Sequence, residues 1–218
     1  MRSALRSLIL LLLTAGSSVA AILADRLLPG GNRAERVVGW WGRVFVRLGG
    51  WKFRIEGMEN LPPGGAVLVV NHQSVVDIPM LLSAFPRPVR FLAKRELGEI
   101  PLFGKAMAAA GNLFIDREDP RDAVRMLREA GARLRDGRLM VVFPEGTRSG
   151  DGSIGEFRPG AFHLAQKSGA PVVPVYIDGG YRAIPKGSIR VRPAELLVRV
   201  LPPLSPGEGA GGSKERIA

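Results

Sequence analysis

Short, mostly apolar runs alternate with polar, glycine-rich segments between residues 53 and 204. Runs of this length are typical of strands buried on both faces of a sheet. They predict strands at residues 66–70, 89–93, 112–115, 139–143, 172–177, 189–192 and 196–201. Pro174 interrupts the fifth run, and because proline has no amide hydrogen it predicts an edge, a bulge or a bend near a site.

Helical segments lie between these runs. The clearest begins with Asp119 as its cap and Pro120 at its first position, and Gly137 follows its end. Its apolar face is expected to consist of Ala123, Val124, Leu127, Ala130 and Leu134. The alternation predicts an α/β fold, a single mixed-sheet domain flanked by helices over residues 53–204. Residues 205–218 predict a flexible tail.

Residues 1–52 predict a membrane-associating helical segment. After Arg2 and Arg6, residues 8–24 are apolar or small, and as a helix they would be about 25 Å long against about 30 Å of hydrocarbon core. This length leaves open whether the segment spans the bilayer or lies in its interface. A cleavable signal peptide, with residues 18–20 as its cleavage site, has the same basic start and apolar run and is the alternative.

Residues 34–51 combine apolar side chains and three tryptophans with Arg36, Arg43 and Arg47. Tryptophans at headgroup level beside snorkelling arginines predict a helix lying in the membrane plane. A helix packed on the domain core is the alternative.

The charge balance favours an anionic partner. The 218 residues include 31 lysines and arginines against 20 aspartates and glutamates, a formal net charge of +11. No zinc-finger spacing, aromatic RNA platform or isolated recognition helix accompanies this charge, so we expect no nucleic-acid partner and no metal. An acidic membrane surface is the simpler explanation, since each suitably placed basic residue contributes about 1 kcal/mol to binding at an anionic lipid surface.

The first candidate chemical motif follows the run 66–70 and reads Asn71-His72-Gln73-Ser74-Val75-Val76-Asp77. Five residues on an α-helix rotate by about 500°, so His72 and Asp77 cannot pair as helical neighbours. Across a strand-to-helix turn they can pair. Asp77 would then fix the imidazole tautomer while the other ring nitrogen takes a proton from a hydroxyl. A loop histidine that Asp77 merely satisfies is the alternative.

Three further side chains lie within or outside this motif, and each has a predicted role. Ser74 and Asp77 have capping-box spacing, so we interpret Ser74 as a helix cap rather than a nucleophile. The Asn71 amide and backbone N–H groups of the turns are candidate donors to an oxyanion. His163 lies in a short helical segment and is expected to be a packing or surface residue.

A second polar turn follows the run 139–143 and reads Pro144-Glu145-Gly146-Thr147-Arg148-Ser149-Gly150. Glycines let backbone N–H groups approach an anion, Thr147 and Ser149 offer hydroxyls, and Arg148 offers a planar fork for phosphate. An ion pair between Glu145 and Arg148 is the alternative. Arg117 follows the run that contains Phe114 and is a candidate second phosphate ligand.

These blocks, in this order and followed by residues 173–177, resemble the four sequence blocks of the glycerolipid acyltransferases. The chain is most similar to the 1-acyl-sn-glycerol-3-phosphate acyltransferases, and residues 94–97 and 100–104 are similar to that family as well. The resemblance implies acyl transfer from acyl-CoA or acyl-ACP, with no cofactor, to a lysophospholipid hydroxyl. It implies that His72 is the general base and that Asp77 orients it. For glycerol-phosphate binding it implies Arg117, Glu145, Gly146, Thr147 and Arg148, and the Ser149 hydroxyl is a further candidate ligand. Asn71 and Ser74 are candidate supporting residues, and Phe114 and Pro174 are candidates for shaping the site.

Under this resemblance we expect acylation of the sn-2 hydroxyl of lysophosphatidic acid, giving phosphatidic acid, at the cytoplasmic face of the inner membrane. Export would separate the enzyme from acyl thioesters, which favours an uncleaved anchor. Because the chain has no cysteine, an acyl-cysteine is excluded and direct transfer is expected. The alternatives are another acceptor such as lyso-ornithine lipid, thioester hydrolysis by water, and a non-catalytic membrane-anchored anion-binding protein.

Overall fold

The computed structural model describes residues 2–27, 33–116 and 119–205. Within these ranges the strands are β1 (Lys52–Glu56), β2 (Ala66–Val70), β3 (Val89–Lys94), β4 (Leu113–Ile115), β5 (Leu139–Val142), β6 (Val172–Asp178) and β7 (Glu195–Val200). The α-helices are α1 (Arg2–Leu27), α2 (Arg33–Gly49), α3 (Asp77–Ala84), α4 (Arg95–Gly98), α5 (Phe103–Ala109), α6 (Pro120–Arg135), α7 (Gly160–Ser168) and α8 (Gly180–Ala183). The predicted tail lies almost wholly outside the described residues.

One sheet contains all of these strands in the order β1-β7-β6-β2-β5-β3-β4. Neighbouring strands are parallel except β6 and β7, so the sheet is mixed, and the predicted fold class is confirmed. β2 lies between β5 and β6. Because parallel strands end at the same edge of a sheet, the turns that follow β2 and β5 lie side by side.

Buried apolar side chains cover both faces of the sheet. Leu68 and Val70 of β2 face one cluster, which includes residues of α2 and α3, whereas Val67 and Val69 face the cluster formed with α6 and α7. All five residues of β2 are buried. The alternation of side chains along a strand therefore divides one apolar run between two layers of helices.

Six of the predicted strands are present, and the strand predicted at residues 189–192 is wrong. The backbone there bonds outside the sheet: Val191 N–H donates to Ser7 Oγ at 3.2 Å, and Ser3 Oγ donates to Val191 O at 2.5 Å. The sequence pattern missed β1, which pairs with β7 as the outermost strand. Most of its side chains are exposed, so it has no apolar run to detect.

Pro174 lies in an interior strand and is accommodated by a bulge. Val172 is opposite Leu204, whereas Val175 is opposite Val200. The segment from Val200 to Leu204 therefore has one residue more than the part of β6 that it pairs with. The Pro174 carbonyl still accepts a hydrogen bond from a backbone N–H, at 2.9 Å. Of the readings predicted for this proline, the bulge is the one observed.

α1 is long and apolar enough to cross a membrane by length and composition, and it is also docked on the domain. Trp41 Nε1 donates to Thr14 Oγ1 at 3.1 Å, which ties α1 to α2. The outward face of α1 carries Leu5, Leu8, Leu11, Leu12, Val19 and Leu23. An apolar outward face on a docked helix is suited to contact with lipid.

α2 packs one face on the domain core, which is the alternative that the sequence left open for residues 34–51. Trp41, Phe45 and Val46 are buried there. Glu35 is also buried and pairs with Arg90 of β3, fixing the start of the helix to the sheet. The outward face still combines Trp40 and Leu48 with Arg36, Arg43 and Arg47.

α6 begins as predicted, with Asp119 Oδ1 accepting the Arg121 N–H at 2.9 Å. Met126, Ala130 and Leu134 face the sheet. Val124 is about half exposed, so its assignment to the apolar face is wrong.

Candidate active site

His72 and Asp77 meet across the turn between β2 and α3. Nδ1 of His72 lies 2.8 Å from Oδ2 of Asp77. The Asp77 side chain is fully buried, and 16% of the His72 side chain is exposed. Since Nδ1 is hydrogen-bonded to the carboxylate, Nε2 is the ring nitrogen that can accept a proton.

The Asp77 carboxylate is itself held by the turn. Oδ2 also accepts the N–H groups of Gln73 at 2.7 Å and Ser74 at 2.8 Å. These two backbone bonds fix the carboxylate, and the carboxylate fixes the imidazole. Asp77 is therefore preorganised to orient His72 before any substrate arrives.

Ser74 does not cap α3. Its Oγ donates to Ile184 O at 2.6 Å and accepts the Val76 N–H at 3.2 Å, and the helix begins without a side-chain cap. Only half of the expected capping box forms, because Asp77 accepts from Ser74 but Ser74 Oγ bonds elsewhere. The hydroxyl is buried and engaged, which makes it unsuited to act as a nucleophile.

The second turn, residues 144–150, lies against the first and is called the Arg148 turn below. Glu145 Oε1 accepts the His72 N–H at 2.7 Å, and Ser149 N–H donates to His72 O at 2.7 Å. Glu145 Oε2 accepts the Gly155 N–H at 2.8 Å. Both oxygens of this buried carboxylate therefore accept backbone N–H groups, one from each of two separate segments.

Within the Arg148 turn, the Ser149 hydroxyl is hydrogen-bonded to nearby residues. Its Oγ donates to Asp151 Oδ1 at 3.0 Å and accepts the Gly152 N–H at 2.9 Å. Hydrogen bonds from Ser153 and then Ser149 lower the pKa of Asp151 to about 2. The Ser149 hydroxyl therefore shapes the turn. Gly146 has a φ of 75°, a conformation that favours glycine.

Asn71 has a supporting position. Its Nδ2 donates to Ile177 O at 2.9 Å and its Oδ1 accepts the Ile177 N–H at 2.8 Å, which ties the end of β2 to β6. The backbone N–H groups of His72, Gln73, Ser74 and Ser149 also have acceptors within the protein. Asn71 and these backbone groups are therefore all engaged within the protein.

Two cavities meet at Arg148. One, of about 600 Å³, opens at His72 and is lined mainly by apolar side chains: Leu10, Leu11, Trp41, Phe45, Val75, Ile78, Leu97, Ile100, Phe103, Ile184, Ile189 and Val191. The other, of about 640 Å³, is polar, and its wall includes Thr147, Ser149, Arg158 and Lys186. Arg148 thus lines both a space suited to an acyl chain and a space suited to a polar group.

In the described part of the chain, neither Phe114 nor Pro174 contributes to the lining of these two cavities. Phe114 lines a separate cavity with Arg95, Arg121 and Arg125. Pro174 lies within β6, opposite Val69. Arg117 lies outside the described residues.

Two residues near the pair were missed by sequence reasoning. The Phe143 ring stacks on the His72 imidazole, with centroids 3.9 Å apart and planes 15° apart. Gly180 of α8 lies against Asp77, so that a Cβ at this position would be 2.4 Å from Oδ1. Phe143 was recognisable as the last residue before the Arg148 turn, whereas nothing in the sequence links Gly180 to Asp77.

Gly180→Ala is expected to lower turnover by about tenfold or more, because the new methyl group must displace the Asp77 carboxylate from the imidazole. Steady-state kinetics on the purified variant measure this loss. Gly160→Ala is the matched control, since a Cβ there meets nothing within 4 Å. Equal turnover in both variants would show that the close approach of Gly180 has no role in orienting Asp77.

The fold and the site define an α/β domain with a histidine–aspartate pair at the carboxyl edge of its sheet, beside an apolar cavity. Residues 52–178 match the acyltransferase family, and the chain belongs to that family. This confirms the resemblance found in the sequence.

The relatives of the chain include named acyltransferases. It is 34% identical over 190 residues to 1-acyl-sn-glycerol-3-phosphate acyltransferase of Pseudomonas aeruginosa, over 85% of this chain and 73% of the relative. It is 43% identical over 140 residues to a chloroplastic enzyme of that name from Arabidopsis thaliana, over 63% of this chain and only 39% of the relative. The crystal structure of 1-acyl-sn-glycerophosphate acyltransferase from Thermotoga maritima has a TM-score of 0.74 at 32% identity and covers 99% of this chain and 90% of that chain.

Proposed function

We propose that this protein transfers an acyl chain from an acyl thioester to the sn-2 hydroxyl of lysophosphatidic acid, forming phosphatidic acid. The observation that carries the proposal is the His72–Asp77 pair, 2.8 Å apart, at an apolar cavity that Arg148 also lines. The names of the relatives support the choice of acceptor.

His72 is the proposed general base. An alcohol is a poor nucleophile at neutral pH, and a positioned base contributes about 10² to 10⁴ in rate. As the sn-2 oxygen bonds to the thioester carbonyl carbon, Nε2 takes the hydroxyl proton and Asp77 stabilises the imidazolium. The tetrahedral intermediate then loses the thiolate, and the imidazolium returns the proton to that sulfur.

Transfer is proposed to be direct, with both substrates bound together. The chain has no cysteine, and the Ser74 hydroxyl is committed to the Ile184 carbonyl. No acyl-enzyme is therefore expected. Parallel double-reciprocal plots together with a trapped acyl-enzyme would contradict this mechanism.

The acceptor phosphate is proposed to bind at Arg148, with Gly146, Thr147 and Arg117 as further ligands. An acyl chain would lie in the apolar cavity, whose lining includes the exposed side chains of Leu11 and Val75. Leu11 belongs to the apolar outward face of α1. We therefore propose that a bilayer-resident acceptor enters from the lipid side, with the domain on the cytoplasmic face of the inner membrane, where acyl thioesters are available.

A substrate panel tests this proposal. Purified protein in phospholipid vesicles is given lysophosphatidic acid, lyso-ornithine lipid or monoacylglycerol, each with acyl-CoA or acyl-ACP. Preferred formation of phosphatidic acid supports the proposed acceptor. Acylation of lyso-ornithine lipid alone would replace it, free fatty acid without acylated lipid would indicate hydrolysis, and binding without turnover would indicate a non-catalytic protein.

Arg148→Ala is expected to raise the KM for lysophosphatidic acid by about 10- to 100-fold, because a charge-assisted hydrogen bond to phosphate is lost. The penalty should be much smaller with monoacylglycerol, which has no phosphate. Arg128→Ala, on the exposed face of α6, removes the same charge from a residue that lines neither cavity and should leave both KM values unchanged. An equal penalty for both acceptors would remove Arg148 from phosphate recognition.

A further inference from the structure

We infer that Lys186, on the segment between α8 and β7, is a positioning residue for the Arg148 turn. Its Nζ donates to Thr147 Oγ1 at 3.2 Å and to Arg148 O at 3.1 Å. These contacts join two segments that are 38 and 39 residues apart in the chain. The ammonium group therefore bonds directly to the backbone of the residue that lines both cavities.

The segment that carries Lys186 is held at both ends. The Ile184 carbonyl accepts the Ser74 hydroxyl at 2.6 Å, and the Val191 backbone bonds to the hydroxyls of Ser3 and Ser7 on α1. Trp51 Nε1 donates to Arg192 O at 2.8 Å. The backbone on either side of Lys186 is thus anchored to the His72 turn and to α1, and the exposed Lys186 side chain reaches the Arg148 turn from this support.

The Arg148 turn is supported differently on its two sides. Toward His72 it is held by Glu145 and by the Ser149 N–H. On the side of the polar cavity, Lys186 bonds to Thr147 and Arg148 themselves. Lys186 lines that polar cavity and not the apolar cavity that contains His72. Its loss should therefore disturb how Arg148 is presented to a phosphate and leave the base in place.

Kinetics of Lys186→Met, Lys186→Arg and Arg190→Met test the inference, which rests on the proposed function. Arg190 is exposed on the same segment and is the matched control for loss of one positive charge. In Lys186→Met the KM for lysophosphatidic acid should rise by roughly tenfold, while kcat and the KM for the acyl donor change by less than about twofold. Lys186→Arg should restore most of the affinity, and monoacylglycerol should not distinguish the variants.

Hydrogen exchange without substrate gives a second and independent answer. Amides of residues 147–152 should exchange faster in Lys186→Met than in wild-type protein or Arg190→Met, because the turn has lost two hydrogen bonds. Unchanged exchange together with an unchanged acceptor KM would overturn the inference. Failure of the wild-type protein to acylate lysophosphatidic acid would instead refute the proposed function, and the exchange result would still decide the role of Lys186.

Discussion

His72→Ala is expected to reduce kcat by at least about 10²-fold while lysophosphatidic acid still binds, because the variant has no base within reach of the sn-2 hydroxyl. Turnover and acceptor binding are measured on the same vesicle preparation. His163→Ala is the matched control, since His163 is exposed on α7 and takes no part in the site. Near-normal turnover in His72→Ala would be fatal to the mechanism.

Asp77→Asn is expected to lower kcat by about 10²-fold, because asparagine keeps the volume of the side chain but removes the charge that stabilises the imidazolium. The substitution suits the purpose better than Asp77→Ala, which would leave the N–H groups of Gln73 and Ser74 without an acceptor and destabilise the fold. Kinetics and thermal unfolding on the same samples separate the two effects.

The control for Asp77→Asn is Asp178→Asn, at the end of β6. Asp178 pairs with Arg182 on a partly exposed surface and is expected to tolerate the change. A fully active Asp77→Asn variant would show that His72 works without a charged partner. A loss of kcat of the same size in Asp178→Asn would show that the effect is not specific to the pair.

The sequence was sufficient to predict the strands that carry continuous apolar runs, because burial on both faces leaves a pattern that does not depend on the partner strand. Strand β1 has no such pattern, since most of its residues face solvent. The opposite error occurred at Val191, where an apolar residue is buried without a strand because its backbone bonds to serines of α1. Pairings that span more than 180 residues cannot be inferred from local periodicity.

The site shows the same division between local and distant information. The His72–Asp77 geometry was predictable because both residues belong to one turn. The sequence placed Glu145 in the second turn but could not show its neighbour, which is the His72 backbone, 73 residues away. Gly180 was missed for the same reason, since its proximity to Asp77 arises only when α8 packs beside the β2–α3 turn.

The backbone of His72 is bonded through its N–H to Glu145 and through its carbonyl to Ser149, so the two motifs form a single mechanical unit. A graft that exchanges residues 144–150 for a loop selective for another headgroup would also replace the support beneath the imidazole. Redesign of acceptor choice in this scaffold must therefore retain a carboxylate at position 145 and an amide donor at position 149. Variation is better confined to position 148, the residue of this turn that lines both cavities.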